Sequence, residues 1–192
     1  MDNTIKALKL FADNKGGSFT IKKAGETLGM NYRIVYEEII GLEKKGLLKI
    51  EKTGNANVCS FNYKFGAETA QVEEIRRIEA LKDSDVYLIH KRISEIKNPF
   101  YILLLFGSRT KKPQSKGSDI DICLITDSKE VSREVAGLLS VTPMDIHFQE
   151  FTTKEFMSMI KSRTDNVGNE ILKGNVILHG VESFYEMVNN AE

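Results

Sequence analysis

Tyr101-Ile102-Leu103-Leu104-Leu105-Phe106, followed by Gly107-Ser108-Arg109-Thr110 and, after a polar loop, by Ser118-Asp119-Ile120-Asp121-Ile122-Cys123-Leu124-Ile125, is the stretch on which the fold turns. Branched and aromatic residues favour an extended strand, and a glycine at its end lets the chain turn where no Cβ obstructs close approach. Backbone amides and the Ser108 hydroxyl are then left to face an anion. Asp119 and Asp121 are spaced i, i+2, so in an extended segment both carboxylates project from one face, where they can share divalent cations. Ile120, Ile122 and Leu124 alternate with them and predict a strand buried on its other face. The intervening loop carries Arg109, Lys111, Lys112 and Lys116, with Pro113 and Gly117 as breakers, a set of cations suited to a polyphosphate.

Further carboxylates stand downstream. Val141 to Phe148 reads as another strand, with Met144, Ile146 and Phe148 on one side and Asp145 and His147 on the other. Asp145 lies within this run, with Asp127 at the end of the preceding strand and Glu150 beyond the next. His147 shares the face of Asp145 and reads as a partly buried histidine hydrogen-bonded for structure, with contact to a ligand bound at the carboxylates as the alternative.

The string GSRTKKPQSKGSDIDICLI, residues 107–125, resembles the signature of the polymerase-beta-type nucleotidyltransferase superfamily, and most of all its small, minimal group. The resemblance covers roughly residues 98–182. It implies two magnesium ions held by Asp119, Asp121 and a third carboxylate on a later strand, for which Asp145 matches the family position in preference to Asp127 and Glu150, with Asp145 taking the acceptor hydroxyl's proton. It also implies a nucleoside triphosphate, most often ATP, bound through Gly107, Ser108, Arg109, Lys111, Lys116 and Ser118, and transfer of a nucleotide to a protein, RNA or small-molecule hydroxyl. Minimal nucleotidyltransferases often silence ribonuclease toxins of the HEPN type, so the resemblance admits a toxin as the protein acceptor. One departure stands out: Lys111-Lys112-Pro113 occupies the place where many members have a second glycine, and the glycine here comes later, at Gly117.

The N-terminal third is built differently. Helices are expected over residues 4–14 and 21–28, the second stopped by Gly29. A third is expected from an Asn31 cap to about Lys45, with Ile34, Val35, Ile39 and Leu42 as its inner stripe and Gly46 as its stop. Residues 47–52 and 58–63 read as two strands of a hairpin joined by a polar tip at 53–57. Three helices and a hairpin, with Leu42-Glu43-Lys44-Lys45-Gly46-Leu47-Leu48 leading into it, resemble the winged helix-turn-helix fold. That resemblance implies double-stranded DNA as a partner: Asn31, Tyr32 and Arg33 would open the recognition helix, and Lys49, Lys52, Asn55 and Asn57 would sit in or near the wing. Winged helices also serve as protein docking modules.

Between the two, residues 67–97 read as one long helix or two, broken near Lys82-Asp83-Ser84-Asp85, where Ser84 or Asp85 would cap a second start. Val72, Ile75, Ile78 and Leu81, then Val86, Ile89, Ile93 and Ile96, form apolar stripes that would pack on the catalytic sheet or pair two copies as a homodimer. A helix capped at Thr152, with Glu155 completing a capping box, and a final helix end and strand over 169–180 are expected beyond the site. His179, near the end of that strand, reads as structural.

The expected architecture is therefore α+β: residues 1–66 a winged helix-turn-helix domain, 67–97 a helical linker, and 98–192 a small nucleotidyltransferase domain of mixed sheet flanked by helices. Charge follows the same division. Residues 1–66 hold eleven Lys and Arg against seven Asp and Glu, while 98–192 hold ten against thirteen, so a net charge of zero over the chain conceals a basic front and an acidic back. The longest apolar run, 101–106, is too short to span a membrane, and no membrane partner is expected. Cys59 and Cys123 lack metal-ligand spacing and read as reduced thiols of a cytoplasmic protein. Two functions stay open: a nucleotidyltransferase targeted or autoregulated by its DNA-binding domain, or a DNA-binding regulator whose nucleotidyltransferase domain senses nucleotide without turnover.

Overall fold

The computed structural model describes residues 1–110, 119–162 and 164–191. It is a mixed α+β protein with two small sheets, and the chain divides into two compact units, Met1–Val72 and Glu73–Glu192. No described helix is long and apolar enough to cross a membrane.

The first unit runs α1 (Asn3–Ala12), β1 (Ser18–Thr20), α2 (Ile21–Leu28), α3 (Tyr32–Lys44), β2 (Leu48–Thr53) and β3 (Ala56–Phe61). Its sheet has the antiparallel order β1-β3-β2. Each helix is bounded as its sequence dictates. Asp2, Thr20 and Asn31 accept backbone N–H bonds as N-caps, and Gly29 closes α2 at φ 63, a left-handed conformation that favours glycine. Ile5, Leu8, Phe11, Val35, Ile39 and Leu42 form the core beneath the sheet.

Two expectations need correction in this unit. The inner stripe of α3 is Val35, Ile39 and Leu42, spaced i, i+4, i+7, whereas Ile34 is 42% exposed. Each helical residue advances about 100°, so Ile34 falls outside the arc that Val35 centres on the core. The hairpin is also tighter: Thr53 pairs with Ala56 and only Gly54-Asn55 turns, with Gly54 at φ 59.

The boundary between the units falls inside α4 (Ala67–Ala80). The stripe expected from Val72 to Leu81 is only partly realised, because Ile78 is 52% exposed while Glu73 and Arg76 are buried. Arg76 Nη1 donates to Glu73 Oε2 at 2.6 Å and Nη2 to the Asn175 carbonyl at 2.6 Å, and the Tyr185 hydroxyl donates to Glu73 Oε1 at 2.6 Å. Pairing and hydrogen bonding let this charged face turn inward, which hydrophobic periodicity cannot register.

The second unit continues with α5 (Ser84–Ile93), β4 (Ile102–Phe106), a 3₁₀ turn (Gly107–Thr110), β5 (Ile120–Ile125), α6 (Lys129–Ser140), β6 (Ile146–Phe151), α7 (Thr153–Lys161), α8 (Val167–Lys173), β7 (Asn175–His179) and α9 (Val181–Asn189). Its sheet has the order β6-β5-β4-β7, with β4 antiparallel to both neighbours and β5 parallel to β6. Alternation along β4 and β5 sends Leu103, Leu105, Ile120, Ile122 and Leu124 into one core, which Val86, Ile89 and Ile93 of α5 and Val131 and Val135 of α6 complete. Leu104, Cys123 and Ile177, also buried, point to the other face, where Phe156 of α7 and Phe184 of α9 pack 6.4 Å apart.

Other boundaries differ from expectation. Asp83, rather than Ser84 or Asp85, caps α5, its Oδ1 accepting from the amides of Asp85 and Val86. Residues 141–145 lie outside β6, and Glu150 lies within it. The apolar side chains of 141–148 carry the period of a strand, yet parallel pairing with β5 begins only where Ile120 meets Ile146. The Thr152–Glu155 capping box forms as expected, and His179 donates through Nε2 to the Pro99 carbonyl at 3.0 Å while stacking on Tyr101.

Candidate functional site

The two halves of the sequence motif meet through antiparallel pairing. Phe106, last residue of β4, is in register with Asp121 of β5, so the next residue, Gly107, lies against the Asp121 side chain. Gly107 has φ 72, and a Cβ there would run into the Asp121 carboxylate, so glycine is required on both counts. The Thr110 hydroxyl donates to the Gly107 carbonyl at 2.8 Å and closes the turn, leaving Gly107 and Ser108 exposed.

Asp119 stands just before β5 and Asp145 just before β6. The Ile120 amide donates to the Asp145 carbonyl at 2.9 Å, which brings the two acidic strand mouths side by side. Asp121 is in register with His147, and His147 Nδ1 lies 3.1 Å from Asp121 Oδ1. Gln149 Nε2 lies 3.0 Å from His147 Nε2. An amide nitrogen only donates, so His147 accepts at Nε2 and carries its proton on Nδ1, donating to Asp121. His147 is therefore exposed and bound to a site carboxylate, not partly buried for structure alone. The sequence signal was its shared strand face with Asp145; its partner was not legible.

Asp119, Asp121 and Asp145 supply oxygen donors only, the chemistry that magnesium prefers. Among the described residues, no three His, Cys, Asp or Glu side chains are gathered closely enough to hold a metal ion. Asp127 and Glu150 are exposed, and Asp127 is engaged, accepting from the Thr153 amide at 3.1 Å. Cys123, buried in β5, and Cys59, in the first unit, have thiols that burial pushes up to about 12 and about 11, so neither is a ready nucleophile.

On the side of the turn away from β5 opens a cavity of about 760 Å³, lined by Gly107, Ser108 and Thr110 and by Asp165, Glu170 and Lys173. The α8 wall is held from behind. Asn169 Nδ2 donates to the Ser162 carbonyl at 2.7 Å, Gly168 fits against Met159 where a Cβ would not, and Asn175 Nδ2 ties back the Ile171 and Leu172 carbonyls. Asn175 is itself paired with Phe106, so the cavity wall and the glycine turn meet at the same end of the neighbouring strands β4 and β7. Lys173 carried no motif and was missed from sequence.

Arg109 behaves differently from the phosphate ligand the sequence suggests. It is 9% exposed, and its Nη1 donates to Asp83 Oδ2 at 3.0 Å and Asp85 Oδ2 at 3.2 Å. Lys111, Lys116 and Ser118 lie outside the described residues.

In the first unit, Asn31 spends its side chain on the Arg33 amide at 2.9 Å as a helix cap. Tyr32, exposed, stacks on Tyr36, and Arg33, also exposed, pairs with Glu37 at 3.1 Å. Lys52 and Asn57 face each other across the hairpin, Asn55 lies in its turn, and Lys49 projects from β2.

No protein-family model and no curated protein matches this chain. Among solved structures, there is a similarity to the crystal structure of Sso10a-2, a DNA-binding protein from Sulfolobus solfataricus, at 18% identity over 50% of this chain and 98% of that one. The TM-score is 0.34, too low to bear on fold or function.

Proposed function

We propose that the second unit is a minimal nucleotidyltransferase of the polymerase-beta type, which transfers a nucleoside monophosphate from ATP to a hydroxyl of a protein, RNA or small molecule. The first unit, on this reading, is a winged helix-turn-helix that targets or regulates it through double-stranded DNA. The observation that carries the reading is the β4–β5 pairing: it sets Gly107 against Asp121, with Asp119 and Asp145 at neighbouring strand mouths.

The roles follow from chemistry. Ser108 and the exposed turn backbone bind the phosphates, and Lys173, across the cavity, supplies a cation for the terminal ones. Asp119, Asp121 and Asp145, which as placed are not gathered around one point, would have to draw together to hold magnesium, which when bound neutralises charge on the phosphates and lowers the pKa of the acceptor hydroxyl. Asp145 receives the acceptor's proton, and His147 orients Asp121 through the Nδ1–H bond. Catalysis is then chiefly positioning and electrostatics.

For the first unit, the support is the order α1-β1-α2-α3-β2-β3 with β1 added to the hairpin, and the exposed Tyr32 and Arg33 at the start of α3. A second reading, a DNA-binding regulator that senses nucleotide without turnover, is favoured by one observation: Lys111-Lys112-Pro113 stands where many nucleotidyltransferases of this type have a second glycine.

Incubation with labelled ATP and magnesium, beside the Asp119→Asn, Asp121→Asn variant, tests the proposal. Label transfer or pyrophosphate release that vanishes in the variant supports the enzyme. ATP binding without turnover across a panel of acceptors supports the sensor. In a gel shift at two salt concentrations, Arg33→Ala should weaken a salt-sensitive complex, and no shift for wild type at low salt refutes the DNA arm.

A further inference from the structure

We propose that Arg109 is a positioning residue which fixes the Gly107–Thr110 turn through Asp83 and Asp85, and that it does not contact the nucleotide phosphates. The inference rests on the nucleotide reading of the turn given above.

Three observations carry it. Arg109 and Asp83 are each 9% exposed at the side chain, so their ion pair is withdrawn from solvent, with Asp85, 41% exposed, at its rim. Opposite charges buried together must stay together, since stripping either of its partner leaves an uncompensated charge. A phosphate that recruited Arg109 would have to draw it away from two carboxylates.

Asp83 also has a second task. Its Oδ2 accepts from Arg109 while its Oδ1 caps α5, accepting from the amides of Asp85 at 3.0 Å and Val86 at 3.4 Å. One carboxylate thus joins the first turn of α5 to the glycine turn. The helix is in turn seated by Val86, Ile89 and Ile93 in the core that also holds Leu103, Leu105, Ile120 and Ile122. The chain of support runs from the sheet interior through α5 and Asp83 to Arg109, the residue next to Ser108. Binding groups held in place by such a shell lose less freedom when ligand arrives.

The two roles for Arg109 give opposite results when its carboxylates are neutralised. As a phosphate ligand it would be released by Asp83→Asn, Asp85→Asn, and anion affinity would rise. As a positioning residue it would lose its anchor, and affinity would fall. The measurement is titration calorimetry of the full chain with ATP and magnesium, and with inorganic tripolyphosphate, for wild type, Asp83→Asn with Asp85→Asn, Arg109→Gln, and all three changes together.

The expected result is a loss of affinity for both ligands on the order of ten- to a hundredfold in the double variant and in Arg109→Gln, as for other small misplacements of binding groups. The triple variant should be no weaker than Arg109→Gln, because the residues act as one unit. Arg109→Lys should recover part of the loss. Circular dichroism establishes that each variant is folded at the titration temperature. Should the double variant not fold, Asp85→Asn alone retains the capping carboxylate and should shift affinity in the same direction by a smaller factor.

Unchanged or tighter binding in the carboxylate variants, with weaker binding in Arg109→Gln, overturns the proposal and makes Arg109 a phosphate ligand. Wild-type affinity in every variant overturns it in favour of a purely structural pair. Wild type that binds neither ligand refutes the nucleotide reading itself, and the inference with it.

Discussion

Gly107 joins backbone geometry to site chemistry at a single residue. Its φ of 72 is a region that costs a side-chain-bearing residue roughly 1–2 kcal/mol. Its missing Cβ leaves the space that the Asp121 carboxylate fills. Gly107→Ala is expected to lower the thermal midpoint and to abolish ATP affinity, measured by melting and by titration calorimetry; an unchanged midpoint would show that the turn relaxes freely. The need for glycine here could be read from the strand-to-serine transition alone. The identity of the atom that enforces it could not, since it belongs to a residue on the next strand.

Helix faces show where periodicity informs and where it misleads. On α5 the stripe Val86, Ile89, Ile93 is buried as its spacing predicts. On α3 the periodic signal fits two adjacent arcs, and only packing chooses Val35 over Ile34. Ile39→Ala should therefore cost about 2–5 kcal/mol in urea unfolding, as for other buried large-to-small changes. Ile34→Ala should stay within about 0.5 kcal/mol, and a comparable loss at both positions would contradict the assigned face. On α4 the failure has another cause: Glu73 and Arg76 turn inward because each meets a partner, Tyr185 and Asn175, roughly a hundred residues away. Short-range spacing carries no record of those partners.

Across the second unit, burial also sets a pH response. His90 is held below its ordinary value chiefly by burial, with the nearby Arg77 and His179 adding to the effect, and with the Leu178 backbone and Glu74 opposing it. A histidine depressed in the folded state binds its proton more readily when unfolded. Its contribution to stability is therefore complete above the unfolded value and is lost as pH falls from there through the folded one. Thermal midpoints should decline as pH drops below about 6.5, the ordinary histidine value, and the decline should be shallower in His90→Gln. Parallel profiles for the two proteins would assign the decline to carboxylates instead.

What the sequence determined by itself is everything governed by local stereochemistry: the strand that gives way at Gly107, the alternation that buries Ile120, Ile122 and Leu124 on one face of the next strand, the caps at Asn31 and Thr152, and the α+β class. These depend on φ/ψ preference and on periods of two and 3.6 residues, which neighbours in sequence specify. Only the tertiary structure decided who meets whom. Arg109, one of four cations around the motif, is claimed by Asp83 and Asp85, 26 and 24 positions earlier. Asp121 takes His147 as its partner 26 positions later, and Lys173 comes to line the same cavity as Ser108. Such pairings arise when strands register and helices dock, and a side chain's charge alone does not say which opposite charge the closed fold will bring to it.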